Sequence, residues 1–168
     1  MKKVAFLGVM ALSVLGLSTI LLFNACEQDP CKDVVCLNGG TCEDGDCNCP
    51  IGYEGDDCGV RTADKYVGTW SAAEVCDSGI YNYVATISAS STEVTSILIS
   101  NFGGFGSSVV VKGTIVDPNS FTIPSQAFGN VAFSGNGTLS ADGLTINITY
   151  IASDGTTSDN CQATYTKQ

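Results

Sequence analysis

The chain is predicted to be all-β, a small disulfide-rich module followed by a small antiparallel barrel of eight strands. Three observations predict this. Six of the nine cysteines lie between residues 31 and 58, a density that replaces a hydrophobic core with covalent links. Beyond residue 65 the chain is rich in Gly, Ser, Thr, Val and Ile, with turn residues at short intervals and no helical periodicity. The last two cysteines, Cys76 and Cys161, stand near the two ends of that stretch, where one bond would tie its first strand to its last.

Taken in order, Lys2 and Lys3 precede an apolar run from Val4 to Phe23. A basic start, an apolar core and a small residue before the break form a secretory signal. The run is also long enough to cross a bilayer as an uncleaved anchor. Leu22-Phe23-Asn24-Ala25-Cys26 resembles the lipobox of bacterial lipoproteins in the looser form found in Bacteroidetes, with Phe23 and Asn24 at the places that usually hold Leu and a small residue. The resemblance implies cleavage after residue 25 and a lipid on Cys26. Buried acyl chains contribute about 0.8 kcal/mol per methylene. Glu27, Gln28 and Asp29 are similar to the surface-export signals of such lipoproteins, which places the expected location in the cell envelope, lipid-anchored to the outer membrane and exposed at the surface.

From Cys31 the cysteines run C-x4-C-x5-C-x4-C-x-C-x8-C, around Asn38-Gly39-Gly40-Thr41 and Gly52-Tyr53-Glu54-Gly55. Spacing alone leaves 15 pairings open for six cysteines. The pattern resembles an EGF-like domain, and that resemblance implies Cys31–Cys42, Cys36–Cys47 and Cys49–Cys58. Each such bond typically contributes 2–4 kcal/mol. Glu43-Asp44-Gly45-Asp46 reads as a hairpin tip. Calcium-binding members of this family carry an aromatic between the third and fourth cysteines, which the short loop here lacks, so no metal is expected and the acids read as solvated.

Residues 59–65 read as a polar linker. Eight strands follow, at roughly 66–76, 79–90, 93–102, 107–117, 120–125, 129–139, 143–152 and 157–167, separated by Asp77-Ser78-Gly79, Gly103-Gly104, Asp117-Pro118-Asn119, Gly129-Asn130, Asp142-Gly143 and Asp154-Gly155. Alternation sets Tyr81, Tyr83, Ala85 and Ile87 on one face, and Leu144, Ile146, Ile148 and Tyr150 on one face. An immunoglobulin-type sandwich would put its core Trp between the bridged cysteines, whereas Trp70 precedes Cys76. A Cys76–Cys161 bond between antiparallel neighbours faces the residue six before Cys76 with the residue six after Cys161, so Trp70 meets Lys167. Gly68-Thr69-Trp70 with Lys167 resembles the G-x-W motif and basic cover of lipocalins, and implies a lipocalin-like (calycin-like) barrel closed by a cation–π pair. The expected organisation is therefore signal peptide 1–25, lipidated tether 26–30, EGF-like domain 31–58, linker 59–65 and lipocalin-like barrel 66–168.

Composition narrows the function. Without Lys2 and Lys3 the chain retains five basic and 17 acidic residues, a net of −12, which argues against nucleic acid as a partner. There is no histidine, so the commonest general base and metal ligand is missing. No catalytic residue and no cofactor are expected, and the chain reads as a non-enzyme. Glu74 shares the parity of Trp70 and Cys76; an inward carboxylate there either orients a ligand or lies at a solvated rim, and it is read as the rim carboxylate. Two functions follow from the resemblances. In the first, an EGF-like stalk presents the barrel to a surface protein or glycan while the lipid holds the membrane. In the second, the barrel takes a small apolar or amphipathic ligand against Tyr81, Tyr83, Phe102, Phe105, Phe121, Phe128, Phe133 and Tyr150. The small inward positions Gly113, Ala85 and Ala163 either hollow the barrel or relieve crowding inside it.

Overall fold

A computed structural model describes residues 29–168. The segment read as a signal peptide and Cys26, read as the lipid site, lie outside the described residues. Among the described residues no helix is long and apolar enough to cross a membrane.

The cysteine-rich module has two minimal hairpins. Strands β1 (Thr41–Glu43) and β2 (Asp46–Asn48) pair antiparallel, and β3 (Tyr53–Glu54) pairs with β4 (Val60–Arg61). The first hairpin turns through Asp44 (φ 53°) and Gly45 (φ 97°), the double positive φ of a type I′ turn. Three disulfides, Cys31–Cys42, Cys36–Cys47 and Cys49–Cys58, hold these strands. Most other side chains of the module are exposed or half-buried, so the cross-links stand where a core would.

The segment read as a linker is folded. Val60 and Arg61 complete a hairpin, and Thr62–Tyr66 forms a 3-10 turn whose Thr62, Ala63 and Tyr66 are buried. Apolar burial at the entrance of the second domain has absorbed residues that composition alone assigns to a polar hinge.

Eight antiparallel strands then close into a barrel: β5 (Gly68–Cys76), β6 (Gly79–Ala89), β7 (Ser96–Ser100), β8 (Val110–Asp117), β9 (Ser120–Phe128), β10 (Val131–Leu139), β11 (Thr145–Ser153) and β12 (Ser158–Lys167). Each strand pairs with the next, and β12 returns to β5. The sheet therefore has no edge. Strands β5, β7, β9 and β11 run from one end, the base, to the other, the mouth. Loops 90–95, 118–119 and 140–144 lie at the base; loops 77–78, 101–109, 129–130 and 154–157 lie at the mouth.

Several strand boundaries differ from the sequence reading, and in β7, β9 and β11 the local reason is visible. β7 starts at Ser96 because Ser90 and Glu93 tie residues 90–96 into a loop, and it stops where Asn101 turns left-handed at φ 58°. β11 starts at Thr145, because Asp142 accepts the Leu144 N–H at 3.0 Å and keeps Leu144 exposed in the turn. β9 runs past Pro124 to Phe128. Proline has no N–H for the ladder, and here the β9–β10 register shifts between Phe133 and Gly135, so that Pro124 and Ser125 together oppose Ser134 in a bulge.

The interior is filled by the barrel's own side chains. Trp70, Ile87, Ile97, Ile99, Phe121, Phe133, Ile146, Ile148 and Tyr165 are all buried. The Phe121 ring fills the base end of the interior and meets Tyr66 edge-on at 5.7 Å. It fits because two neighbours are glycines: a Cβ on Gly137 would stand 2.2 Å from the ring, and one on Gly113 would stand 2.9 Å from it. Gly113 and Gly137 thus make room for Phe121 rather than hollowing the barrel. Ala85 lies opposite Trp70, and Ala163 opposite Glu74, so both spare space for a larger partner. Each large apolar side chain so buried contributes about 1.5–3 kcal/mol.

Candidate functional site

The two ends of the barrel differ in chemistry. At the base, the β12–β5 ladder sets Lys167 opposite Trp70. The Lys167 ammonium lies 5.3 Å from the centre of the Trp70 ring and donates to the Lys65 carbonyl at 3.1 Å. The Trp70 indole N–H donates to the Tyr66 carbonyl at 3.0 Å. Gly68 (φ +147°) lets the Lys167 stem pass, since a Cβ there would meet Lys167 Cε at 3.2 Å. The base is thus sealed by Trp70, Tyr66 and Phe121, and the cysteine-rich module lies against it. Arg61 donates to the carbonyls of Ser90, Glu93 and Val94, and Lys65 reaches both Glu54 and Asn119.

The mouth holds the polar interior. Alternation along β5 turns Trp70, Ala72 and Glu74 inward. Glu74 is 1% exposed, not in solvent at the rim: it lies in the inner wall of the mouth, against Tyr83 and the Cys76–Cys161 bridge. The flanking strands place Tyr83 and Tyr165 on either side of Ala72. The small methyl lets the two rings lean together edge-on, 6.0 Å apart, with their hydroxyls at 3.0 Å. The Tyr83 O–H donates to Glu74 Oε2 at 2.7 Å. The Tyr165 O–H donates in turn to the Tyr83 oxygen, which completes a relay of donors ending on the carboxyl.

Burial pushes the Glu74 carboxyl above its ordinary range, and the hydrogen bonds from Tyr83 and Tyr150 pull it part of the way back. Burial also raises Tyr83, Tyr150 and Tyr165, so all three remain protonated donors at neutral pH. Glu74, Cys76 and Cys161 bring three potential metal-ligating atoms within 4.8 Å of one another. Both sulfurs are spent on the Cys76–Cys161 disulfide, which leaves a single carboxylate and no thiolate. These residues do not form a metal site.

A loop plugs part of the mouth. After Asn101, whose amide donates to the Val84 carbonyl at 2.8 Å, residues Phe102–Gly104 make one 3-10 turn. Phe102 is buried against Tyr150 and Phe133, with ring centres 4.6 and 5.5 Å away. Gly103 lies tight on the Tyr150 hydroxyl, where a Cβ would stand at 2.8 Å. Beside this turn remains a cleft of about 460 Å³, lined among others by Glu74, Tyr81, Tyr83, Phe105, Tyr150 and Asp159.

The aromatic positions named from the sequence therefore divide. Phe102, Phe121, Phe133 and Tyr150 are buried packing, and Tyr83 and Phe128 are half-buried. Tyr81 (43% exposed) and Phe105 (50% exposed) stand at the cleft. Sequence reasoning missed Tyr165, although the register that faces Trp70 with Lys167 also puts Tyr165 beside Ala72. It also passed over Tyr66, which the sequence reading placed at the start of the first strand and the structure places in the 3-10 turn before it.

A comparison with known protein families finds no match, and none is found among curated proteins. Among solved structures, the chain is similar to a redesigned β-barrel at 17% sequence identity and a TM-score of 0.46, covering 66% of this chain and 97% of that one.

Proposed function

We propose that this chain is a non-catalytic lipoprotein of the bacterial cell surface, anchored to the outer membrane through Cys26. In this reading the disulfide module is an EGF-like stalk and the barrel is the part presented to a surface protein or glycan. One observation carries it: the module docks on the sealed base through Arg61 and Lys65. The mouth loops consequently lie at the end of the barrel opposite the docked module. The filled interior favours this reading over a ligand taken deep into the barrel. The acidic balance suits a surface that resists adhesion to anionic lipid and nucleic acid.

Cys26→Ser tests the anchor. In a bacterial host with an outer membrane, the wild-type chain is expected to incorporate labelled palmitate, stay with membranes and be cut by protease added to whole cells. The variant is expected to lose the label and the membrane association. Retention of the unlabelled variant in membranes would point to an uncleaved signal anchor instead.

A further inference from the structure

Glu74 is the one buried carboxyl among the described residues. A buried charge is costly unless a counter-charge or a full set of donors meets it. Within hydrogen-bond distance Oε2 accepts from Tyr83, but the neighbour of Oε1 is the Cys76 sulfur at 3.6 Å, and a disulfide sulfur has no proton to donate. Tyr150 is a second phenol donor to the same carboxyl, from β11. No cation pairs with it: the ion pairs among the described residues are Lys65–Glu54 and Lys112–Glu93. Arg61, Lys65 and Lys167 gather at the base, and neither Lys nor Arg lines the cleft at the mouth.

The walls of that cleft complete the pattern. Tyr81, Tyr83, Phe105 and Tyr150 offer aromatic rings, which attract cations through their π faces. Tyr81 and Phe105 leave much of their surface in solvent, so an apolar body has somewhere to lie. The volume of about 460 Å³ falls within the range of small-molecule sites, ~300–1,000 Å³. The net charge of −10 favours approach of a cation. Two carboxylates line the cleft, Glu74 and an Asp159 already engaged by Ser78, and with protonated phenols they are too few oxygen ligands for a divalent metal ion.

We propose that the mouth cleft binds a small organic ammonium compound, its cationic head set against Glu74 and its apolar body against Tyr81 and Phe105. The site does not depend on the anchor and holds whether or not Cys26 carries lipid. The test is calorimetric titration of the detergent-purified chain, disulfides intact, with benzylammonium, benzyl alcohol and benzoate. Benzylammonium is expected to bind saturably at one site, at least tenfold more weakly to Glu74→Gln, while the neutral and anionic analogues do not bind. Phe105→Ala removes a half-exposed ring that meets the buried Phe133 edge-on at 5.2 Å and is expected to weaken binding several-fold with an unchanged far-ultraviolet dichroism spectrum. Absence of saturable benzylammonium binding, equal binding by benzyl alcohol, or full affinity in a folded Glu74→Gln would overturn the proposal. Should Glu74→Gln fail to fold, undiminished affinity in Phe105→Ala would overturn it alone.

Discussion

Glu74 shows how one residue couples packing to pH. Its burial raises the carboxyl above the ordinary 4.5, outweighing the hydrogen bonds that lower it. A carboxyl with a folded pKa above its unfolded one binds more protons in the folded state. Its stabilising contribution is therefore complete below the unfolded value and is lost as pH rises through the folded one. Glu74→Gln keeps the shape and the acceptor for Tyr83 but cannot ionise. Melting temperatures of the two proteins are expected to lie close together near pH 4 and to separate above it, with the variant the more stable at pH 8. A gap that stays constant from pH 4 to 8 would show that Glu74 does not change protonation in that range. The inward parity of Glu74 was legible in the sequence, because a strand alternates by geometry. Its burial was not, since that depends on tyrosines of three other strands closing round it.

Among the elements, β9 carries the clearest compensation. Past Thr122, two residues before Pro124, the backbone pairing of β8 with β9 stops, and the side chain of Gln126 continues it. The Lys112 N–H donates to Gln126 Oε1 at 2.8 Å, and Gln126 Nε2 donates to the Lys112 carbonyl at 2.8 Å. One amide thus imitates a pair of ladder bonds at the seam where a proline interrupts the sheet. Gln126→Ala leaves both Lys112 groups without these partners and is expected to destabilise by about 1–3 kcal/mol. Urea unfolding would register the loss, and amide exchange at Lys112 should accelerate in the same variant. The turns between elements were readable because Asp, Asn and Gly act on their own backbone. The bulge was not, since a proline in a strand announces a fault without saying which neighbour absorbs it.

For the whole molecule, the decisive feature is that two small domains share a boundary. Gly52 comes close enough to loop 90–95 that a Cβ would meet Thr95 at 3.0 Å and Val94 at 3.2 Å, and Arg61 ties the same loop with three hydrogen bonds. The Lys65–Glu54 pair is a quarter exposed on both sides and contributes at most about 1 kcal/mol. Arg61→Ala is therefore expected to loosen the docking without unfolding either domain. Amide exchange in loop 90–95 should rise at least tenfold while exchange in β5 and β12 stays unchanged; faster exchange throughout would mean that the interface holds the barrel together. The sequence by itself determined the all-β class, the strand alternation and most turns, because each rests on interactions a few residues long or on a chemistry that composition reveals. The filled interior, the bulge, the folded linker and the carboxyl enclosed by three tyrosines were decided by tertiary structure. Each depends on which distant side chains meet once the barrel closes, and a linear pattern does not carry that.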